Sequence, residues 1–347
     1  PAMQVRSTSP YGKAGFPSSP NPLSTMLISD LGERALIDRL RARVPTAPAW
    51  VTIGIGDDAA VLEPARGMHD VVTTDCQVED VHFRRAWMSM RDIGRKALAV
   101  NISDLAAMGA TPRAATLSLA LPASLSVGDF DALFDGFLEL AAAVHLPLVG
   151  GNLAASPGPI VIDVTLIGAV RKRRALTRSG GRAGHLLYVT GQLGGVAAAV
   201  ERARRAEADG TLPAEPESPS PLAPRSPVEL LRCGQRVAQH KIASACMDLS
   251  DGLADAVSQM AAASGTGARI LSSNIPVHPL ASLTQALAGG EDYELLCAVP
   301  KNRRRGFEKI AGRHADLTCI GELTKDRALV LDREGQQTPL GDGFSHF

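Results

Sequence analysis

The spacing of apolar and polar residues divides the chain into short strands and amphipathic helices. An apolar stripe at helical spacing follows Asp30 and Glu33, which have the spacing of a capping box, so a helix is predicted to begin near Ser29. Short apolar runs bounded by Gly, Asp and Pro predict strands at 51–53, 59–62 and 71–74.

The segment from Asp92 to Met108 is apolar on nearly every side, and Gly109 follows it. This pattern predicts a buried helix that ends at the glycine. Further patterns predict a strand at 114–121, a helix from Ser126 to about Val144, and strands around Leu148 and over 160–167.

The second half repeats this mixed order. A strand is predicted at 186–190, and helices are predicted at 194–206, 228–239 and 249–263. The segment 208–227 contains six prolines and is predicted to be a loop or disordered insertion that buries nothing. A chain of 347 residues exceeds what one core usually organises. We therefore expect an α/β (α+β) fold with two domains, and two cores.

Composition excludes several classes of protein. The 36 basic residues cancel the 36 acidic ones, so no overall field favours nucleic acid or membrane. No apolar run approaches the roughly 18 residues that cross a bilayer. The five cysteines are scattered and form no CxxC, which argues against a disulfide framework or a zinc site. The first 26 residues, with five prolines, are expected to be a disordered extension, and the protein is expected to be cytoplasmic.

Aspartates recur in loops at strand ends, beside glycine turns such as GIGDD, GGN and GGED. Each aspartate alone could be an ordinary turn former. Asp104 is different, because it lies inside an otherwise apolar helix with no basic residue three or four positions away. A buried carboxylate needs a partner, and a metal ion would supply one. A set of oxygen ligands without His or Cys is typical of a Mg²⁺ site. The backbone N–H groups of glycine turns can bind phosphate oxygens.

One rival motif deserves comparison. GIGDDA fits the dinucleotide fingerprint G-x-G-x-x-[GA], and Asp75 has roughly the spacing of a ribose contact. A dinucleotide loop must however continue into a helix, whereas this one reaches Pro64 within a few residues. The P-loop and the protein-kinase HRD and DFG signatures are absent from the sequence, so phosphate must be bound by another fold.

Several blocks occur together in a specific order: GIGDDAAVL, TTDCQVEDVHF, DIGRKALAVNISDLAAMGATP, GGN, ALTRSG, MDLSDGLAD, GGEDYELL and GFSHF. In this order they resemble the thiamine-monophosphate kinase family, over about residues 27–347. The NISDLAAMGA block alone would indicate only the wider superfamily of aminoimidazole ribonucleotide synthetase, selenophosphate synthetase and a hydrogenase maturation factor. The first domain, 27–170, is then expected to bind metal and ATP and to dimerise, with a second domain at 171–347.

The resemblance also implies site residues, by position. Several Mg²⁺ ions would be held around the ATP phosphates by Asp58, Thr73, Thr74, Asp75, Asp104, Asn152, Asp248 and Asp251. ATP contacts are implied for Gly151, Asn152, Arg178 and Ser250, and thiamine monophosphate contacts for His82, Glu291 and Phe347. The implied assembly is a homodimer whose N-terminal sheets pair near the site.

Three positions depart from the family pattern. Asn152 replaces a common Asp, Asp80 stands where glycine is usual, and Gln77 stands where Leu is usual. From sequence alone, Arg178 could equally be a solvated surface charge, and His82 a histidine of an edge strand.

The expected reaction is phosphorylation of thiamine monophosphate by ATP to thiamine diphosphate. Its acceptor is already ionised at neutral pH, so no general base is expected. Two other functions remain open: an ATP-dependent synthetase, and a non-catalytic nucleotide-binding regulator.

Overall fold

A computed structural model describes residues 24–341 and 343 of the chain. In these residues two large sheets, together with a small two-stranded one, organise the fold. The described part of the first half contains four helices and six strands. In chain order these are α1 Ile28–Leu31, α2 Glu33–Arg43, β1 Val51–Ile53, β2 Val61–Leu62, β3 Met68–Val78, α3 Met90–Ala107, β4 Thr111–Pro122, α4 Val127–Ala143, β5 Leu148–Ser156 and β6 Val161–Arg171.

The first sheet has the strand order β3-β6-β4-β5, and only its β4–β5 pair is parallel. Helix α3 contacts β3, β6 and α4. The two helices approach closely at glycines: a Cβ added to Gly94 would lie 1.8 Å from the Leu133 carbonyl oxygen, and one added to Gly136 would lie 1.8 Å from that of Arg91. Alternate residues of β3 therefore face α3, while the opposite face is open and leaves Val72 66% exposed.

The second half forms a seven-stranded sheet and carries five helices. Its elements are β7 Leu186–Thr190, α5 Gly195–Ala208, α6 Pro227–His240, β8 Ala245–Asp248, α7 Leu253–Ser264, β9 Gly267–Leu271, α8 Leu283–Ala288, β10 Leu295–Val299, α9 Arg304–Ala311, β11 Leu317–Thr324, β12 Leu329–Arg333 and β13 Gln336–Pro339. The strand order is β13-β12-β9-β11-β7-β10-β8, in which only β9 and β12 are parallel.

The two halves share one of two apolar cores. The larger cluster extends from α3 and α4 into the second half, where it includes Val237 and Phe307. Helix α6 packs so closely on α3 that a Cβ at Gly234 would lie 1.9 Å from the Ala106 carbonyl oxygen. The smaller cluster belongs wholly to the second half. Helix α3 is thus packed between the two sheets, which places its polar residues at their junction.

The predicted fold class is confirmed, and so are most elements. Helix α4 begins where predicted because the Ser126 hydroxyl accepts a hydrogen bond from the Asp129 backbone N–H. The GIGDDA loop leads into β2 rather than into a helix, so it is not a dinucleotide-binding loop of the G-x-G-x-x-[GA] type. Domain boundaries at 26/27 and 170/171 stay a prediction.

Three local predictions were wrong. The first helix is interrupted at Gly32, whose φ of 79° breaks it into α1 and α2, and no capping side chain starts either piece. Helix α7 begins at Leu253, not at 249, because Gly252 has a φ of 95° and the residues before it form a loop. In the proline-rich segment Leu222 and Ala223 are buried in the larger core, so part of that segment packs after all.

The ends of the chain lie largely outside the described residues, including 1–23 of the predicted extension. Residues 24–28 are hydrogen-bonded to the start of α4, through the Ser24 and Met26 carbonyls and the Ile28 backbone N–H. None of the helices within the described residues is both long and apolar enough to span a membrane.

Candidate active site

Three carboxylates from distant parts of the sequence meet beside α3. Asp104 lies on α3, Asp75 on β3 and Asp248 at the end of β8. The Thr73 hydroxyl donates to Asp104 Oδ2, and Asp75 lies close enough to Asp104 for each carboxyl group to affect the pKa of the other. The neighbouring Ser103 hydroxyl donates to Asp248 Oδ2 at 2.8 Å, across 145 positions of sequence. One turn of α3 thus joins the two sheets through polar contacts.

The acidic cluster of Asp75, Asp104 and Asp248 carries charge in a poorly solvated place. Burial, then repulsion by Asp104 and Asp248, raises the pKa of Asp75 to about 7. Burial, then Asp104, raises the pKa of Asp248 to about 6. Burial also raises the pKa of Asp104, although the Thr73 hydroxyl, Asp75 and the Arg178 guanidinium oppose that rise.

One oxygen of this cluster has no partner. Asp75 Oδ2 is buried and accepts no hydrogen bond from any described residue. A buried acceptor without a donor costs free energy, and a bound cation would remove that cost together with the repulsion among the carboxylates. The cluster therefore fits a hard cation such as Mg²⁺.

The pKa of Asp75 predicts how stability changes with pH. Because its folded pKa of about 7 lies above the usual value near 3.9, the folded state binds the extra proton between these values. The stabilising contribution is complete below about pH 4 and is lost as the pH rises through about 7. We expect Asp75→Asn, measured by thermal unfolding in EDTA, to be more stable than wild type at pH 8 and not at pH 4.5.

The pKa values of Asp292 and Glu294 are also raised, so these residues make stability fall with rising pH in the same way. Only the difference in stability between Asp75→Asn and wild type therefore tests the contribution of Asp75. A lower melting temperature of the variant at pH 8 would contradict it.

Three of the other predicted metal ligands lie elsewhere. Thr74 faces the opposite side of β3, where its hydroxyl lies 3.4 Å from Asp163 Oδ1 and 3.0 Å from the Thr165 hydroxyl. Asp58 and Asn152 line a cavity of about 510 Å³ bounded by α2, the GIGDD loop and β5, and Gly151 lines it too. Since β5 and β3 are opposite edges of the four-stranded sheet, Asn152 is about 14 Å from the strand that carries Asp75.

A buried lysine joins two of the three residues predicted to touch thiamine monophosphate. Lys96 is 2% exposed, and its ammonium group donates to the His82 carbonyl at 2.7 Å and pairs with Glu291 Oε1 at 2.8 Å. All three residues line a small cavity of about 80 Å³. The Val78 backbone N–H donates to His82 Nδ1 at 3.1 Å. Sequence reasoning missed Lys96, although a lysine in an apolar helix is itself a signal.

The GGEDYELL loop connects this cavity with the acidic cluster. Glu291 and Tyr293 both have left-handed backbone conformations, with φ of 68° and 51°. Their backbone N–H groups donate to Ser250 and Leu249 carbonyls at 2.6 and 2.9 Å. Burial raises the pKa of Tyr293, and so do the charges of Glu291 and of all three carboxylates. The Tyr293 side chain, which sequence reasoning also missed, therefore lies close to both groups.

Arg178 and Ser250, predicted to bind ATP, and the predicted metal ligand Asp251 belong to the second half, as Asp248 does. Arg178 donates to Gln259, and its positive charge lowers the pKa of Asp104 and Asp248. Ser250 and Asp251 occupy the loop before α7, where the Ser250 hydroxyl lies 3.2 Å from Asp251 Oδ2. A Cβ on Gly343 would lie 2.7 Å from the Asp251 carbonyl oxygen, so the chain returns to this loop near its end. Phe347 itself lies outside the described residues.

Among residues 24–341 and 343, no three His, Cys, Asp or Glu side chains converge closely enough to hold a metal ion unaided. Mg²⁺ commonly binds through one or two carboxylates, with water and substrate phosphates completing its shell. The Mg²⁺ site and its ligands therefore stay a prediction.

Comparison with known proteins identifies the family. Residues 56–170 match the profile of "AIR synthase related protein, N-terminal domain", and residues 182–333 match that of "AIR synthase related protein, C-terminal domain". The thiamine-monophosphate kinase of Bacillus subtilis (strain 168) is 34% identical over 315 residues, which cover 86% of this chain and 94% of that protein. The chain belongs to the thiamine-monophosphate kinase family.

Solved structures of thiamine-monophosphate kinases have the same fold. The crystal structure of the enzyme from Stenotrophomonas maltophilia K279a matches with a TM-score of 0.75 and 33% identity, over 87% of this chain and 96% of that one. A structure of AaThiL complexed with AMPPCP and TMP matches with a TM-score of 0.63 and 30% identity, over 90% and 97% of the two chains.

Two departures from the family pattern now have a physical context. Asp80 has a φ of 66°, a conformation that favours glycine, so its usual glycine is explained by the backbone. Its carboxylate lies 3.5 Å from Arg84 Nε, which offsets part of that strain. Gln77 is buried, and its Oε1 has no hydrogen-bond partner among the described residues. A buried acceptor without a donor costs free energy, and a Leu at this position would avoid that cost.

Proposed function

We propose that the chain is a Mg²⁺-dependent thiamine-monophosphate kinase that transfers the γ-phosphoryl group of ATP directly to the phosphate of thiamine monophosphate. Membership of the family supports the overall activity, as does the AaThiL structure with AMPPCP and TMP. The observation that carries the metal dependence is the acidic cluster of Asp75, Asp104 and Asp248, with its unpartnered buried oxygen.

The reaction needs alignment more than proton transfer. An oxygen of the acceptor phosphate forms a bond to the γ-phosphorus while the bond from that phosphorus to the β,γ-bridging oxygen breaks, leaving ADP. The acceptor is ionised at neutral pH, so no residue is assigned as a general base. Bound Mg²⁺ would neutralise phosphate charge, and Asp75, Asp104 and Asp248 would hold it. Arg178 would bind phosphate oxygens in this proposal, which its electrostatic effect on Asp104 and Asp248 supports.

Glu291 and His82 belong to the acceptor side of this proposal. The Lys96 ammonium fixes the carboxylate of Glu291 and the carbonyl of His82 in one small cavity. A carboxylate held there suits the cationic thiazolium of thiamine monophosphate. Phe347 stays a proposed contact by family resemblance alone.

We propose that the predicted homodimer forms through the exposed face of the four-stranded sheet. The face of the four-stranded sheet opposite α3 carries Val72, Cys76 and Thr74 in the open. Pairing two copies through this face would cover it and bring Asp163 beside a second sheet. The mass measured by sedimentation equilibrium tests this, and a monomer at all concentrations would exclude it.

Metal removal tests the function directly. With ATP and thiamine monophosphate, we expect the purified chain to release ADP in Mg²⁺, to stop in EDTA, and to resume with excess Mg²⁺, because charge on the transferring group must be neutralised. Thiamine without phosphate is the control and should give no ADP. Full turnover in metal-free buffer would overturn the mechanism, and absence of turnover with Mg²⁺ would overturn the function.

A further inference from the structure

The RKRR segment that ends the first half borders a positively charged cavity of about 470 Å³. Four arginines line this cavity: Arg171 and Arg174 from that segment, and Arg232 and Arg236 from α6. His314 lies beside them, and no aspartate or glutamate lines the cavity. In a protein whose net charge is zero, this is a local concentration of positive charge.

Two of the arginines are held in place by neighbouring groups. Arg174 donates to the Gln239 carbonyl at 2.9 Å, and Arg236 donates to the Gln239 side-chain oxygen at 2.9 Å. Each guanidinium has five donors, so both retain several for another acceptor. Arg171 and Arg232 form no ion pair with any residue in the described part of the chain. The arginines are therefore not explained by neutralisation of protein carboxylates.

A second cavity, of about 520 Å³, continues from the charged one and has a mixed lining. The two share Met68, Thr111, Ala169, Arg232 and Gln235 as lining residues. The floor between them is fixed, because Gln235 Nε2 donates to the Ala110 carbonyl at 3.2 Å. We call the two cavities together the arginine groove.

The far end of the arginine groove combines an aromatic ring and aliphatic side chains with Arg113 and His145. Trp50 lines it together with Val228 and Leu231, and the Arg113 guanidinium lies 4.6 Å from the Trp50 ring centroid. One end of the groove thus suits a planar ring and the other suits phosphate oxygens, which arginine binds in a planar, bidentate manner. The volume is in the range of small-molecule sites.

We propose that the arginine groove is a second binding site, for a phosphorylated small molecule that carries an aromatic or heterocyclic ring. It is separate from the acidic cluster, and no residue that lines it was assigned to the kinase reaction. Its walls come from β3, β4 and β6 of the first sheet and from α6 of the second half, so a ligand there contacts both halves of the chain. Gly109, at the end of α3, also lines it.

Calorimetric titration in EDTA tests the site with three probes: inorganic diphosphate, ADP and thiamine diphosphate. We expect at least one of the ring-bearing probes to bind more tightly than inorganic diphosphate. The double variant Arg171→Ala/Arg232→Ala should weaken that binding by roughly tenfold or more, because each arginine supplies charged hydrogen bonds. Arg305→Ala, an exposed arginine outside the groove, is the matched control and should bind normally.

A further variant separates ring from phosphate. Trp50→Leu should weaken the ring-bearing probe and leave inorganic diphosphate unchanged. Melting temperatures of all variants verify that they fold. The proposal fails if no probe binds at millimolar concentration, if the double variant binds like wild type, or if inorganic diphosphate binds as tightly as both ring-bearing probes. Tighter binding of ADP would indicate an adenosine-like ligand, and tighter binding of thiamine diphosphate a thiamine-like one.

Discussion

Replacing Asp104 by Asn is expected to lower kcat at least about 100-fold without destabilising the metal-free protein. The loss follows because the amide cannot supply the negative charge that would hold a cation near the transferring phosphoryl group. Stability should hold or rise in EDTA, since the buried carboxylate now faces Asp75 and Asp248 and its pKa is raised by burial. The amide oxygen can still accept from the Thr73 hydroxyl.

The matched control is Asp92→Asn on the same helix. Asp92 is buried, and its carboxylate accepts a hydrogen bond from the Ser89 hydroxyl at 2.7 Å. It belongs to the cap at the start of α3 and not to the acidic cluster. This variant should keep full activity. Kinetics in Mg²⁺ and unfolding in EDTA are measured for both. An Asp104→Asn protein that is active yet markedly less stable would show that Asp104 is a structural residue.

Elements with local signals were predictable from sequence. Helix α4 is defined by an apolar stripe and by the Ser126 cap, both of which are properties of adjacent residues. The break at Gly32 was not, because a glycine is tolerated within a helix and is equally free to adopt the φ of 79° that ends one. Burial of Leu222 and Ala223 likewise depends on a core formed by distant residues, which proline content cannot reveal.

The acidic cluster was predictable only in part. Asp104 could be singled out because a carboxylate in an apolar helix needs a partner, and family resemblance supplied Asp75 and Asp248. That these three meet depends on α3 packing between two sheets, which no local pattern encodes. For the same reason, no local pattern indicated that Asp58 and Asn152 line a different cavity in a single chain.

Replacing Lys96 by Met is expected to destabilise the protein by about 3 kcal/mol, because removing one partner of a buried ion pair leaves the other uncompensated. The Lys96 side chain is 2% exposed and that of Glu291 is 26% exposed, so the residual charge of Glu291 retains some contact with water. The His82 carbonyl also loses its donor. Denaturant unfolding of wild type and variant gives the difference, and an unchanged midpoint would contradict the pair.

The double variant Lys96→Met/Glu291→Gln separates stability from substrate binding. Removing both charges leaves no uncompensated ion, so we expect most of the lost stability to return. If Glu291 contacts thiamine monophosphate as proposed, KM for that substrate should stay raised in the double variant while KM for ATP changes little. Recovery of both stability and KM would mean that Glu291 serves only to neutralise Lys96. Glu291→Gln alone should raise KM and destabilise, because it strands the ammonium group in a cavity of about 80 Å³.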